Sequence, residues 1–426
     1  MFRITAAAFR FAQRQIQHVQ EYGTQTLYHK VGRLIRIIIR SAFLILLLPF
    51  ILPTLLLVRA LRPVLVIRFG RLRGDRLGHL VLEPEFYLCE RDVGLHDTRT
   101  RDFFYFSQPA CNRQLKRMLK RLVSVSILVR PLDEINRLLP GWETHAVPLY
   151  TSKHEDVHEL FDRVSPHFFF TKKEEATGAN ARRNLGIPDK ASFVCFIARD
   201  SSYLANRFTQ DLSYHDYRDS NIHNYVAAAE ALANRGCYAI RMGAIVTQAL
   251  NTTNPHIIDY AVKDRGDFLD VYFFAKCRFL ISSNSGGCAV AMAFRRPITF
   301  VNTAPFLALD GTVPLKNILF IPKKYWLLDQ KRFMTFGEIM KSGADQFYIS
   351  HEYKNLGIEL VENSPEEIRA VAIEMDERLK GVWQDTEEDL MLRNRLMSIV
   401  RTNKSSDVRL PLMGANFLRN NRHLLD

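Results

Sequence analysis

The chain has 426 residues, with 58 Lys and Arg against 45 Asp and Glu and a formal net charge of +13. The composition is 47% hydrophobic, 24% charged and 11% aromatic, which excludes a disordered, collagen-like or polytopic membrane chain. The basic balance first suggests a nucleic-acid binder. However, residues 1–76 hold thirteen Lys and Arg and two acids, a net charge of +11, and the remainder carries only +2. We therefore predict no nucleic-acid surface.

The length and the cysteines set the expected organisation. A chain this long exceeds what one hydrophobic core usually organises, so two domains are expected. The six cysteines are widely spaced and form no C-x-x-C pair. They are predicted to be reduced core residues of a globular part that faces the cytosol.

The N-terminal segment predicts a membrane anchor. Residues 1–22 are Arg-rich and amphipathic at helical spacing, as expected of a helix on anionic lipid. Residues 42–58 carry no charge, and these seventeen residues would give a helix of about 25 Å. Pro49 and Pro53 are expected to kink or break it. Arginines flank both ends, which favours a monotopic or re-entrant anchor over a single span.

An α/β pattern begins after the anchor. Residues 63–69 predict a strand that enters a Gly- and Arg-rich loop and then a helix, HLVLEPEFYL. Further strands are predicted for DFFYFS, VSVSILVRPL and HAVPLY, and helices for NRQLKRMLKRL, DEINRLL and DVHELFDRV. The polar residues 171–192 then predict a domain boundary.

A second series of strands and helices follows this boundary. Strands are predicted for SFVCFIARD, CYAIRMG, RFLISSN, PITFVN and NILFIPKKYW. Helices are predicted for NYVAAAEALANRG, DFLDVYFFAKC, CAVAMAFRR, SPEEIRAVAIEMDERL and residues 386–400, with Ser364 and Glu367 as a capping box. Two α/β domains of this kind would face a cleft at the carboxyl ends of their strands.

The most specific signal for a ligand is the turn between RFLIS and CAVAMAFRR. A predicted strand ends there and a helix of small residues begins at once, so free N–H groups and the helix dipole would favour an anion. An ordinary capped turn is the alternative. The residues of this turn are Ser282, Ser283, Asn284, Ser285, Gly286 and Gly287.

Basic residues at other strand ends favour the anion site. Arg199 follows one strand, Arg241 lies in the next just before Gly243, and Arg218 lies in a tyrosine-rich loop. A guanidinium binds two phosphate oxygens at once and keeps its charge. In parallel strands these residues would open on one edge and clamp a diphosphate, although an ion pair with a nearby Asp is the alternative for each arginine.

The loop RFGRLRGDRLGHLVLEPE offers a candidate general base. His79 stands at a helix start, with Arg71 and the carboxylates Glu83 and Glu85 nearby. A histidine can take a proton from a hydroxyl at neutral pH. A histidine that only caps the helix is the alternative.

HEDVH at residues 154–158 matches the HExxH zinc motif. Ser152 and Glu155 would form a capping box, which places the motif in an exposed first turn among polar neighbours. We therefore disfavour a zinc metalloprotease.

The motifs RFGRLRGDRLGH, ARDSSY, HDYRDSNIHNY, YAIRMG and RFLISSNSGGCAVAMAFRRP resemble, in this order, a family of bacterial GT-B-type glycosyltransferases found among surface-polysaccharide enzymes. The resemblance covers residues 63–380. It implies an α/β fold of two Rossmann-like domains that face a cleft, with a nucleotide-sugar on the C-terminal domain and the acceptor on the N-terminal domain. It also implies metal-independent sugar transfer without a cofactor.

On this resemblance the turn from Ser282 to Gly287 and the arginines would bind the donor diphosphate, and His79, Glu83 or Glu85 would deprotonate the acceptor. The expected regions are an anchor (1–62), an acceptor-side domain (63–175), a donor domain (176–380) and a helical tail (381–426). The partners would be a nucleotide-sugar, a glycan or lipid-linked acceptor and an anionic membrane surface, at the cytoplasmic face of the inner membrane. A sugar-nucleotide epimerase or hydrolase and a non-catalytic tethered binding protein are the alternatives.

Overall fold

A seven-stranded parallel β-sheet dominates the C-terminal half of the chain. The computed structural model describes residues 24–149, 156, 158–200, 213–263, 265–311, 316–404 and 407–426. The predicted amphipathic segment 1–22, and Ser152, His154 and Glu155 of the zinc motif, lie outside the described residues.

Helices and strands alternate through most of the described residues, which confirms the α/β class. The helices are α1 (Thr24–Ala60), α2 (Leu77–Asp92), α3 (Arg113–Leu122), α4 (Val129–Asn136), α5 (Lys172–Asn184), α6 (Val226–Asn234), α7 (Asp267–Lys276), α8 (Gly286–Ala293), α9 (Phe336–Ser342), α10 (Ser350–Asn355), α11 (Pro365–Lys380), α12 (Glu387–Asn403) and α13 (Ala415–Asn420). The strands are β1 (Val66–Leu72), β2 (Thr100–Phe106), β3 (Phe193–Ile197), β4 (Tyr238–Arg241), β5 (Ile257–Asp259), β6 (Leu280–Ser282), β7 (Ile298–Thr303), β8 (Ile318–Pro322), β9 (Lys324–Leu327), β10 (Arg332–Phe333), β11 (Ile358–Val361) and β12 (Leu412–Met413).

The large sheet has the strand order β12-β8-β7-β6-β3-β4-β5, and its neighbouring strands are all parallel. Its central strands are continuous apolar runs because helices cover both of their faces. From β3 the chain moves outward to β4 and β5 and then returns to β6 on the other side of β3. The carboxyl ends of β3 and β6 therefore mark the topological switch point, where open α/β sheets bind ligands.

Helix starts in this part of the chain are set by local capping. Ser364 and Glu367 form the predicted capping box of α11. Thr171 and Glu174 form another at the start of α5, within the polar stretch where the sequence predicted a break in periodicity. Residues 412–413 of the predicted helical tail add β12 to the edge of the sheet.

The chain divides into two compact units. The first comprises Met1–Phe69, Arg99–Arg101 and Leu128–Ala146, and the second comprises Gly70–Thr98, Asp102–Ile127 and Val147–Asp426. In the first unit α1 runs unbroken through Pro49 and Pro53, and it contains a 23-residue stretch that is long and apolar enough to cross a membrane. The boundaries predicted from the sequence remain predictions.

The two strands that the sequence predicts between β2 and α5, VSVSILVRPL and HAVPLY, are wrong. VSVSILVRPL contributes a single bridge between Phe104 and Val125 and then enters α4, where Pro131 occupies the first turn without loss of a helical hydrogen bond. HAVPLY contributes a single bridge through Ala146. Before residue 172, the described residues therefore contain a two-stranded sheet of β1 and β2 and no second large parallel sheet.

The helix predicted for DVHELFDRV is also wrong over its described residues. The Asp156 carboxylate accepts hydrogen bonds from the backbone N–H groups of Leu160 and Phe161, at 2.8 and 2.9 Å. Glu159 has a left-handed backbone with a φ of 53°. Because both features close a turn, the exposed His158 does not lie in a helix.

Candidate functional site

A cavity of about 610 Å³ lies at the switch point. The residues that follow β3 and β6 line it, among them Arg199 and Asn284. The two loops are joined, because the backbone N–H of Arg199 donates to the Ser283 hydroxyl at 2.8 Å. The whole cavity lies in the second compact unit.

Two helices begin at this cavity. Leu77, Gly78 and His79 open α2, and Gly286 and Gly287 open α8. The helices touch at their starts: a Cβ on Gly78 would lie 4.0 Å from that of Ala289, and one on Gly286 would lie 3.6 Å from that of Leu77. Within the described residues, neither N-cap side chain hydrogen-bonds to its helix. The first backbone N–H groups and the positive dipole ends of both helices can therefore serve an anion.

The glycine pair in the turn has two different physical causes. A Cβ on Gly287 would lie 2.4 Å from Cζ of Phe274, so packing inside the protein requires a glycine there. Gly286 has room for a side chain, but its surface belongs to the cavity wall. Asn284 adopts a φ of 49° just before the helix, and its residue type tolerates this left-handed conformation.

Four of the described arginines line the same cavity, and the sequence predicted two of them, Arg199 and Arg218. The Arg199 guanidinium donates to the backbone oxygen of His215 at 3.0 Å and forms an ion pair with Asp219. Arg218 lies over the Tyr217 ring, 5.6 Å from its centroid, and burial lowers the pKa of its guanidinium. The other two are Arg76, immediately before α2, and Arg265, which forms an ion pair with Asp270.

The pKa of His215 reports the electrostatic potential in this part of the cavity. Burial, followed in decreasing order by the charges of Arg218, Arg199 and Arg76, lowers this pKa to about 4. His215 is therefore neutral at physiological pH, because a proton there would add a fourth cation to the cluster. The same three arginine charges favour a bound anion in this part of the cavity, although the lining elsewhere also includes Asp75, Asp200, Asp267 and Asp270.

Asp219 partly offsets this positive charge. Burial raises the pKa of its carboxyl to about 6, although Arg199 and Lys323 act in the opposite direction. The buried Lys323 ammonium donates to the backbone oxygen of Asp219 at 2.6 Å and holds the loop in place. Near neutral pH, Asp219 therefore carries a charge that a modest fall in pH removes.

Arg241 does not reach the cavity. It aligns with Phe196 in β3 and with Asp259 in β5, so it lies three positions deeper in the sheet than Arg199. Its buried guanidinium forms a 3.1 Å ion pair with Asp259 and donates to the backbone oxygen of Gln248 at 2.6 Å. Arg241 therefore ties β4 to β5, and only the nearby Gly243 lines the cavity.

Ser282 and Ser283 are buried behind the cavity wall. The Cys288 thiol donates to the Ser282 hydroxyl at 3.0 Å, and the Ser282 and Ser285 hydroxyls lie 3.1 Å apart. Ser282 and Ser283 therefore fix the shape of the turn. The part of the wall that a ligand would meet is formed by Asn284, Ser285, Gly286 and Gly287.

His79 lines the cavity and pairs with Glu83 one helical turn later. Its Nδ1 lies 2.7 Å from Oε1 of Glu83, whose side chain is buried. A carboxylate at Nδ1 selects the tautomer with the proton on that nitrogen and leaves Nε2 as the basic one. The arrangement suits a general base held in a fixed orientation.

Glu85 and Arg71 lie outside the cavity wall. Glu85 is fully buried and binds the Arg295 guanidinium at 2.9 Å and Nδ1 of His167 at 3.2 Å. Two residues along a helix turn the side chain by about 200°, so Glu83 and Glu85 face opposite ways. Arg71 is exposed on β1.

Glu85, Cys89 and His167 place three potential metal-ligand atoms within 4.8 Å of one another. However, Nη2 of Arg295 lies 3.3 Å from the Cys89 sulfur as well as 2.9 Å from Glu85, so a cation already occupies this position. Burial opposes protonation of His167, but Cys89, Glu85 and Asp92 together raise its pKa to about 10. The cluster is a buried ion-pair network, in which a metal ion would have to compete with two cations.

The sequence reasoning missed Arg76, His215 and Asp219 as parts of this site. Each stood inside a motif that the resemblance included, RGDRLGH or HDYRDS. The only available signal was an arginine directly before a predicted helix and a histidine three residues before Arg218. Neither pattern is specific without the fold.

Several solved glycosyltransferase structures are similar to the chain at low sequence identity. A family 9 glycosyltransferase from Veillonella parvula is 12% identical, with 74% of this chain and 96% of that chain covered and a TM-score of 0.42. The ADP-heptose LPS heptosyltransferase II of E. coli is 12% identical, with coverages of 60% and 90% and a TM-score of 0.37. The iron-containing dodecameric glycosyltransferase TibC of enterotoxigenic E. coli is 15% identical, with coverages of 56% and 59% and a TM-score of 0.28. No family model and no curated protein matches the chain.

Proposed function

We propose that the protein is a glycosyltransferase that moves a sugar from a nucleotide-sugar donor to a hydroxyl of a glycan or lipid-linked acceptor. One observation carries the proposal: the starts of α2 and α8 and the cluster of Arg76, Arg199 and Arg218 converge on one cavity, at whose wall the buried Glu83 orients His79. An anion site beside an oriented base is what transfer from a sugar diphosphate requires.

The donor diphosphate would lie against the N-terminus of α8 and the arginine cluster. When the bond between the sugar C1 and the phosphate oxygen breaks, negative charge grows on the leaving nucleoside diphosphate. Arg199 and Arg218 and the helix N–H groups are already oriented by the protein, so they stabilise this charge with little reorganisation. His215 stays neutral in the cluster, and it can hydrogen-bond to the donor without a change of charge.

The acceptor hydroxyl would lie near His79. As its oxygen bonds to C1, its proton passes to Nε2 of His79, while Glu83 stabilises the imidazolium through Nδ1. The products are the glycosylated acceptor and the nucleoside diphosphate, and the proton returns to solvent. This step uses residues of the chain alone, and we propose that transfer needs no metal ion.

The apolar helix α1 supports a location at the cytoplasmic face of the inner membrane, where lipid-linked sugar acceptors are found. Its 23-residue apolar stretch is mostly exposed, as expected of a segment that contacts lipid. A surface polysaccharide or its lipid-linked precursor is the acceptor class that this location favours.

The test incubates the full chain with a panel of nucleotide-sugars and follows thermal stability and release of nucleoside diphosphate. We expect one donor to raise the Tm, and nucleoside diphosphate to accumulate mainly when a membrane extract supplies acceptors. Release that is independent of acceptor would instead indicate a hydrolase or epimerase. Stabilisation without any turnover would indicate a binding protein, and no stabilisation by any donor would refute the donor site.

A further inference from the structure

The exposed apolar surface of α1 supports a membrane location, but the proposed sugar transfer does not determine how α1 lies in the membrane. Between residues 42 and 60 only Ile51, Leu55 and Val58 are buried, at the i, i+4, i+7 spacing of a single helical face. Leu44, Leu47 and Leu48 are half-buried. Seven other large side chains are 40 to 74% exposed, and they are Phe43, Ile45, Leu46, Phe50, Leu52, Leu56 and Leu57. An apolar surface of this size marks a contact with a partner or a membrane.

Both ends of this apolar stretch bind one short segment, residues 134–140. Arg40 forms an ion pair with Glu134 of α4. Arg59 donates to the Asn136 side chain at 3.0 Å and to the backbone oxygen of Pro140 at 2.8 Å. These residues all belong to the first compact unit.

The distances decide how α1 can meet a bilayer. Nineteen residues separate Arg40 from Arg59, which is about 28 Å along a helix and close to the thickness of the hydrocarbon core. If α1 spanned a membrane, its two arginines would lie at opposite interfaces. The segment 134–140 contacts both of them, so α4 would have to lie at the depth of the acyl chains.

α4 is unsuited to that depth. Glu134 also pairs with Arg130 at 2.9 Å, and Asp133 pairs with Arg137 at 2.9 Å. Charged side chains and an irregular loop at membrane depth are tolerated only inside protein or in a water-filled cavity. α4 is a single helix of eight residues with partly exposed arginines.

The prolines of α1 also disfavour a span. Pro49 and Pro53 have no N–H to donate to the carbonyls of Ile45 and Pro49, and both of these residues are exposed. In a spanning helix these carbonyls would lie near the middle of the hydrocarbon. At the lipid–water interface, water and headgroups can reach them.

We propose that α1 lies along a single leaflet of an anionic membrane, with its exposed apolar face among the lipid chains and α4 on the aqueous side. The net charge of +11 in residues 1–76 complements anionic headgroups. The inference rests on α1 and α4 and is independent of the proposed glycosyl transfer.

The test labels single introduced cysteines on either side of the apolar stretch. Val31→Cys and Val64→Cys, both at exposed positions, are made separately in the full chain, and the parent chain gives the background from its own cysteines. A membrane-impermeant maleimide is applied to intact spheroplasts and to inverted inner-membrane vesicles. A single-leaflet helix predicts that both sites react in inverted vesicles and that neither reacts in spheroplasts.

Reaction of one site in spheroplasts and the other in inverted vesicles would show a span and overturn the proposal. A chain that remains in the soluble fraction would also overturn it. As a second measurement, Phe50→Glu should reduce flotation with anionic vesicles at least tenfold, whereas Val382→Glu, at an equally exposed site in the second unit, should not. Equal flotation of both variants would contradict a lipid contact at Phe50.

Discussion

Helix α2 supplies the glutamates of two histidine–glutamate pairs that differ in their surroundings. Glu83 holds His79 at the wall of the cavity, whereas Glu85, two residues later, holds His167 inside the protein together with Arg295. The first pair has space beside it for a substrate. The second is enclosed by its own counter-ions, and the pKa of His167 is raised to about 10.

The difference shows that residue type does not define a catalytic group here. Both pairs combine the same two side chains, but only one of them adjoins an anion site and an open volume. A histidine that is permanently charged cannot accept a proton at neutral pH, so His167 is suited to stability and His79 to chemistry. The variants below separate these two roles.

The largest effect is expected at His79. His79→Gln keeps a donor for Glu83 but removes the base, and we expect the transfer rate to fall by about 10²- to 10⁴-fold with little change in Tm. His167→Gln should leave the rate nearly unchanged and lower the Tm, because it removes a buried cation from Glu85. Initial velocities give the transfer rates of both variants, and calorimetry gives their Tm. Equal rate losses in the two variants would contradict the assignment of His79 as the base.

The next largest effect is expected on donor binding, at one of two arginines, Arg218 and Arg241, that the sequence predicted in one site. Arg218→Ala should raise the donor Kd about 10- to 100-fold, since it removes a charged hydrogen-bond donor from the cavity. Arg241→Ala should leave the Kd of the folded protein unchanged and destabilise it by about 3 kcal/mol, because it removes the ion-pair partner of the partly buried Asp259 and the tie between β4 and β5. Calorimetric titration with the donor and urea unfolding give the two values. A donor Kd that responds only to Arg241→Ala would reverse the roles.

A smaller effect is expected from pH. The pKa of Asp219 is about 6, above its ordinary value, so protonation between pH 8 and pH 5 removes the negative charge beside Arg199. Donor affinity should rise about tenfold as the pH falls through this range, because a nucleotide-sugar diphosphate itself keeps its charge. Asp219→Asn should show the higher affinity throughout. A pH dependence that persists in this variant would exclude Asp219 as its cause.

No effect is expected from removal of metal ions. Arg295 and the protonated His167 occupy the surroundings of Glu85 and Cys89, so dialysis against EDTA should leave both the transfer rate and the Tm unchanged. Metal analysis of the purified chain is the control. A stoichiometric metal ion whose loss lowers the Tm in the parent but not in Cys89→Ser would locate it in this cluster.

The elements best predicted from the sequence are those with a strong local signal. The apolar runs of β3, β6, β7 and β8 and the capping box of α11 follow from hydrophobic pattern and from Ser364 with Glu367. The strand predicted at VSVSILVRPL failed because an apolar run of that length also suits a turn that leads into a helix, and only the surrounding packing decides between them.

The residues of the candidate site also fall into those that the sequence predicts and those that only the fold brings together. The turn from Asn284 to Gly287, the loop at Arg199 and the helix start at His79 could be found from the sequence, because strand ends and helix starts are local features. Arg76 and His215 also belong to the site, whereas Arg241 does not. This outcome depends on tertiary contacts and strand register, which relate residues far apart in the chain.

By itself, the sequence determined that a basic, apolar N-terminal segment precedes an α/β region with anion-binding turns, because charge, hydropathy and capping are properties of neighbouring residues. Only the tertiary structure decided which charges meet. It pairs Glu83 with His79 at the cavity wall and buries Glu85 in an ion-pair network, and it joins Arg40 and Arg59 to the same short segment, residues 134–140. These outcomes depend on helix rotation and on contacts between distant segments, which local residue patterns do not specify.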